Sequence, residues 1–171
     1  PVPKIAEDEV LVDVAAAGIE TDDLTAMGRD RVNHRYLPGV TLPDGLEIEH
    51  DFARAMAAAE QLLVVVPSHA FREVLERARP LLRTGQRVAW ATKGFELATG
   101  KLPHEVADEV LGPAVPTAVI SGPTFAKEVG AGLPSAMTVA SRGSDYAMAL
   151  ARSLSDENFR VYASSDMTGV E

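Results

Sequence analysis

Three short stretches of the sequence hold residue types that can do chemistry where a strand ends. Ala91-Thr92-Lys93-Gly94 sets an ammonium beside a glycine. A lysine so placed can bind a phosphate or polarise a carbonyl oxygen; its plainer reading is a solvated turn residue. Ser121-Gly122-Pro123-Thr124 makes a rigid turn that can aim backbone N–H groups and the Thr124 hydroxyl at an oxygen-rich ligand, or can simply lead from strand to helix. Pro67-Ser68 stops the apolar run Leu62-Leu63-Val64-Val65-Val66. Around these, Lys127 and Glu128 read as a solvated helix face. His69 reads as a capping-turn histidine or, less commonly, a donor to a cofactor, Arg35-Tyr36 as loop packing or an adenine contact, and Trp90 as core. His34, His50 and His104 show no metal-ligand spacing, so no metal site is assigned. Ser68, Ser121 and Ser135 have no neighbouring histidine and acid of the hydrolase kind.

The elements that must position these residues alternate strand and helix. The continuous apolar run at 62–66 predicts a strand covered on both faces, as in a parallel sheet, and 87–92 and 116–121 read as a second buried strand and a third strand. Further strands are expected over 9–18, 135–140 and 159–162, with a short extended piece at 46–48. Helices are expected after Asp22 and Asp23, over 51–60 with Asp51 as N-cap, from 69 to about 82 with Ser68 as cap, and over 102–110, 125–129 and 144–154. Phe71, Val74, Leu75 and Ala78 follow the spacing of a helix face turned to the core. Residues 33–43 read as loop. The pattern predicts an α/β fold, a doubly wound (Rossmann-like) parallel sheet. In such sheets ligands bind beyond the carboxyl ends of the strands, so all three chemistry-bearing stretches are expected along one edge.

Composition narrows the function classes. The 171 residues carry a formal net charge of -9 and no lysine- and arginine-rich run, which argues against nucleic acid as a partner. With no cysteine, disulfides, thiol catalysis and cysteine zinc sites are excluded. No apolar run reaches the roughly 18 residues of a membrane helix, and no signal segment opens the sequence. A cytoplasmic location and no membrane partner are the expectations.

Several blocks, in order, resemble one family, the soluble NAD(P)-dependent glycerol-3-phosphate dehydrogenases. They are Asn33-His34-Arg35-Tyr36-Leu37-Pro38-Gly39, Val65-Val66-Pro67-Ser68-His69-Ala70-Phe71, Ala91-Thr92-Lys93-Gly94-Phe95-Glu96, Ser121-Gly122-Pro123-Thr124-Phe125-Ala126-Lys127-Glu128, and the final Ser164-Ser165-Asp166-Met167-Thr168-Gly169-Val170-Glu171. The resemblance covers about residues 25–171. It implies interconversion of sn-glycerol 3-phosphate and dihydroxyacetone phosphate with NAD or NADP as cofactor, in the supply of glycerophospholipid precursor. Carried over residue by residue, it puts Lys93, Gly122 and Thr124 on the substrate. It puts Lys93 and Ala126 on the cofactor, with Pro67, Ser68 and Phe71 in the turn that faces the dinucleotide. The family often has serine where Thr124 stands, and the hydroxyl survives the exchange. The small-molecule partner so implied is a phosphorylated triose or glycerol, and a homodimer is open through the face on which a further domain would dock.

Two departures shape the expectation. The family opens on a strand and a glycine-rich turn that holds the pyrophosphate at a helix N-terminus, and nothing here matches it. Residues 3–24 instead resemble the start of medium-chain (zinc- and quinone-reductase-type) dehydrogenases. The expected division is therefore an atypical segment at 1–24 and a partial NAD(P)-binding, Rossmann-like domain at 25–171. The family's proton-transfer lysine and phosphate-binding residues fall in a helical domain beyond Glu171. No catalytic residue is thus assigned in this sequence, and turnover by these residues alone is expected to be near background. The competing reading is a non-catalytic α/β remnant that binds nucleotide or phosphorylated ligand weakly.

Overall fold

A computed structural model describes residues 21–171; the strand expected over 9–18 lies outside the described residues. The first described element is helix α1 (Thr21–Asp30), with Asp22 and Asp23 in its first turn and Arg29 in its last. Both signs oppose the helix dipole's end charges and so favour the helix. The stretch 33–43, expected as loop, is instead a small antiparallel hairpin of β1 (Val32–Asn33) and β2 (Leu37–Thr41). Its turn is closed by the Asn33 side chain, which accepts from the Tyr36 backbone N–H at 2.9 Å. Pro38 sits within β2 at no cost to a wider ladder, because the sheet has only these two strands. Residues 46–48 form no strand.

Helix α2 (Phe52–Ala58) starts as the sequence predicts, with the Asp51 carboxylate accepting from the Arg54 N–H at 2.8 Å. Asp51→Ala is expected to lower the stability by about 1 kcal/mol, read as a shift of the urea midpoint with an unchanged slope.

The main sheet then forms in chain order from β3 (Gln61–Val64), β4 (Arg87–Trp90), β5 (Thr117–Ser121), β6 (Ser135–Ala140) and β7 (Phe159–Ser164), neighbours in sequence being neighbours in space. Between them lie α3 (Ser68–Ala78), α4 (Pro103–Leu111), α5 (Ala126–Gly130) and α6 (Ser144–Leu154), and α7 (Met167–Val170) follows β7. Two expectations need correction at α3. Ser68 is the first helical residue and Pro67 occupies the cap, with no side-chain bond there. The α-helix stops at Ala78 and passes into a single 3-10 turn over Arg79–Leu81, because Pro80 has no N–H to continue the ladder.

The sheet is also mixed, not wholly parallel. β3, β4 and β5 are parallel, as are β6 and β7, but β6 runs antiparallel to β5. The cause is the length of α5. Five helical residues span about 8 Å, too little to carry the chain back along a strand of about 17 Å, so it turns back at the same edge.

Apolar side chains alternate across the sheet and fill two layers. Val88, Trp90 and Val119 face α2, α3, α4 and α7, together with Phe71, Val74 and Leu75. Ala89, Ala118 and Ile120 face Tyr146, Ala147 and Leu150 of α6. Helices on both faces explain why these strands read as unbroken apolar runs rather than alternating ones. No helix of the described residues is long and apolar enough to cross a membrane.

Candidate functional site

Because β3, β4 and β5 are parallel, the segments after them leave from one edge, and side-chain bonds stitch those segments together. Thr92, only 3% exposed, donates its hydroxyl to the Val66 carbonyl at 2.7 Å, joining the ends of β3 and β4. Lys93 donates from Nζ to the Gly122 carbonyl at 2.8 Å, joining the ends of β4 and β5. Gly94 makes the turn after the lysine at φ +88°, a conformation open to glycine at little cost. Gly122 is needed for a different reason: a Cβ there would fall 2.7 Å from the Ala136 carbonyl oxygen and 2.9 Å from the Met137 Cα. The glycine lets the turn lie directly against β6.

The loop after Lys93 is held by charge. Arg72 of α3 donates to both Glu96 oxygens, at 2.7 and 3.0 Å, and to Glu109 of α4 at 2.8 Å. Lys101 also pairs with Glu109, and Thr99 donates to Glu96. The Arg72 hydrogen bonds, then that of Thr99, pull the Glu96 carboxyl from 4.5 down to about 2. Lys101 first, then Arg72, lowers that of Glu109. Depressed carboxyls stabilise the fold above their ordinary value and lose that contribution as pH falls through the folded one. The thermal midpoint is therefore expected to hold from neutral pH to about 4.5 with respect to this network, then fall toward pH 2. Glu96→Gln should flatten that part of the curve. A groove of about 310 Å³ lies alongside, lined by His69, Arg72, Glu73, Glu76, Glu96, Leu97 and Ala98.

Of the residues singled out in the sequence, Lys93 and Gly122 meet at the strand ends, and Pro67 and Ser68 directly follow the Val66 carbonyl that Thr92 holds. Thr124 is half-buried in the turn that follows, and Ala126 is exposed at the start of α5. Phe71 does not belong with them. It is 2% exposed and its ring packs edge-on against Trp90 at 5.5 Å, so it has no surface to offer a dinucleotide. Arg35 pairs with Asp23 at 3.2 Å and lies over the Tyr36 ring, the packing alternative. Lys127 and Glu128 are exposed on α5. Sequence reasoning missed what holds Trp90: its indole N–H donates to Glu171 at 3.1 Å, a pairing 81 positions apart that no local spacing announces.

Helices on both faces of a mostly parallel sheet, with polar groups gathered where three parallel strands end, define an α/β domain of the dinucleotide-binding class. The model of the family described as the NAD-dependent glycerol-3-phosphate dehydrogenase N-terminus matches residues 6–149. The chain belongs to that family. The match begins at residue 6, inside the segment 1–24 expected to stand apart from the family. Glycerol-3-phosphate dehydrogenase [NAD(P)+] of Serratia proteamaculans is 49% identical over 155 residues, covering 90% of this chain and 46% of that protein. The enzyme of the same description from Escherichia coli K12 is 48% identical over 160 residues, covering 93% and 47%. The crystal structure of glycerol-3-phosphate dehydrogenase from Coxiella burnetii superposes with a TM-score of 0.86 at 40% identity, covering 95% of this chain and 48% of that one. The chain thus spans about half the length of the relatives it matches.

Proposed function

We propose that this chain supplies the strand-end half of the site of an NAD(P)-linked oxidoreductase that interconverts sn-glycerol 3-phosphate and dihydroxyacetone phosphate in the cytoplasm. The observation that carries the reading is Lys93, an exposed ammonium held over the Gly122 carbonyl at the meeting of two strand ends. One of its N–H groups is committed to that carbonyl, and the others of an ammonium's donors can meet an anionic or carbonyl oxygen. Gly122 and Thr124 flank it as the substrate's further partners. On the cofactor side stand Lys93, Ala126, Pro67 and Ser68.

The strand ends fit a dinucleotide in two respects. The first turn of α3 has no side-chain cap; the Ala70 N–H there donates to the Pro67 carbonyl, and those of Ser68 and His69 stand open to an anion. The Lys93 charge and the small Gly94 and Ala126 allow close approach of a flat ring. Hydride exchange with C2 of the substrate is the chemistry that the nicotinamide supplies when bound. The residues of this chain bind and orient: Lys93 neutralises substrate charge, and the turn at Gly122 fixes where that charge sits. We assign none of them the transfer of the C2 oxygen's proton. The partner is a small phosphorylated triose or glycerol, and two copies can associate through the apolar groups left at this edge, Phe95 and Phe125, both exposed.

The test is a titration of the chain with NADH, NADPH and sn-glycerol 3-phosphate, beside an assay of NADH oxidation with dihydroxyacetone phosphate. Saturable binding with background turnover is expected. No saturable binding of any of the three overturns the reading, and clear turnover overturns the absence of a catalytic residue.

A further inference from the structure

Glu171 carries a carboxylate that the site as described does not use, and its side chain is only 1% exposed. One oxygen accepts from the Trp90 indole at 3.1 Å and from the His104 backbone N–H at 2.9 Å. The other meets Nδ1 of the His104 ring. A buried carboxylate is costly unless donors surround it, and here the donors come from two separate parts of the site's support, Trp90 and His104. Trp90 is the last residue of β4, fully buried and packed on Phe71. His104 lies in the first turn of α4, where backbone N–H groups have no partner within the helix. The carboxylate therefore ties the end of β4 to the start of α4, and between those two points lies the loop that bears Lys93.

From this shared carboxylate we infer that Glu171 is a positioning residue for Lys93. With it in place, the strand end three residues before the lysine cannot shift relative to α4, and the ammonium stays over the Gly122 carbonyl. Without it, the indole N–H and the α4 N–H are left buried and unpaired, and the strand end moves to find water. The inference rests on Lys93 being the ligand-binding ammonium, but its test needs no ligand, so the two stand or fall apart.

The test is site-resolved labelling of lysines with an amine-selective acylating reagent, read by peptide mass spectrometry for Lys93, Lys101 and Lys127. The single tryptophan reports in parallel through its emission. In Glu171→Ala, Lys93 labelling is expected to rise about fivefold or more, fivefold being the population change for a single hydrogen bond's net contribution, with Lys101 and Lys127 unchanged and Trp90 emission shifted. Glu171→Gln keeps acceptors for Trp90 and for the His104 N–H and should stay close to wild type. If the alanine variant does not fold, Glu171→Asp, which withdraws the carboxylate by one methylene, should show the same Lys93-selective rise. Lys93 labelling at the wild-type rate overturns the inference. So does a rise shared equally by Lys101 and Lys127, which marks general loosening.

Discussion

Replacing Gly122 by alanine is expected to destabilise the domain by about 2 kcal/mol, the usual cost of forcing a methyl group into closed packing. The atoms in the way are backbone: the Ala136 carbonyl oxygen at 2.7 Å and the Met137 Cα at 2.9 Å. A flexible side chain could swing aside, but these belong to the antiparallel β6, whose register with β5 pairs Ser121 with Thr138. Either the β5–β6 pair opens at this end or the turn lifts. Both movements carry away the Gly122 carbonyl that holds Lys93. The substitution should lower the urea midpoint at unchanged slope and also weaken ligand binding in the folded fraction. Gly94→Ala is the informative companion. A Cβ at Gly94 meets nothing within 4 Å, so its cost comes only from φ +88° and should be the smaller, about 1 kcal/mol.

Much of this was legible in the sequence wherever the signal is local. The apolar runs ending at Pro67, Thr92 and Ser121 mark buried strands because both faces of the sheet are covered. The Phe71, Val74, Leu75, Ala78 spacing marks the buried face of α3. Asp51 announces the start of α2. The joining of three strand ends at one edge follows from parallel pairing alone. What was not legible depends on contacts distant in sequence or on lengths that only packing decides. The reversal of β6 turns on how far a five-residue helix reaches. The hairpin of 32–41 contains a proline and a glycine, which locally read as loop. Phe71 sits in a block shared with the family's dinucleotide-facing turn, yet its position on α3 points it at Trp90. Glu171 meets Trp90 and His104 from 81 and 67 positions away, and no spacing rule connects residues so far apart.

The largest functional effect is expected at Lys93. An ammonium at this strand end gives a charge-assisted hydrogen bond to a phosphate or carbonyl oxygen, and removing such a bond costs about 1.5–3 kcal/mol, about tenfold or more in affinity. Arginine should restore only part of it, because a planar fork cannot place one N–H on the Gly122 carbonyl and another on ligand in the geometry of a compact ammonium. Lys127, exposed on the helix after the same turn, is the control: its loss removes the same formal charge without touching the stitched strand ends. The most direct test is calorimetric titration of sn-glycerol 3-phosphate, with and without NADH, into wild type, Lys93→Met and Lys127→Met at one ionic strength. The account predicts that Lys93→Met weakens binding about tenfold or more while Lys127→Met stays near wild type. Equal affinity in wild type and Lys93→Met, or equal losses in the two variants, would contradict it.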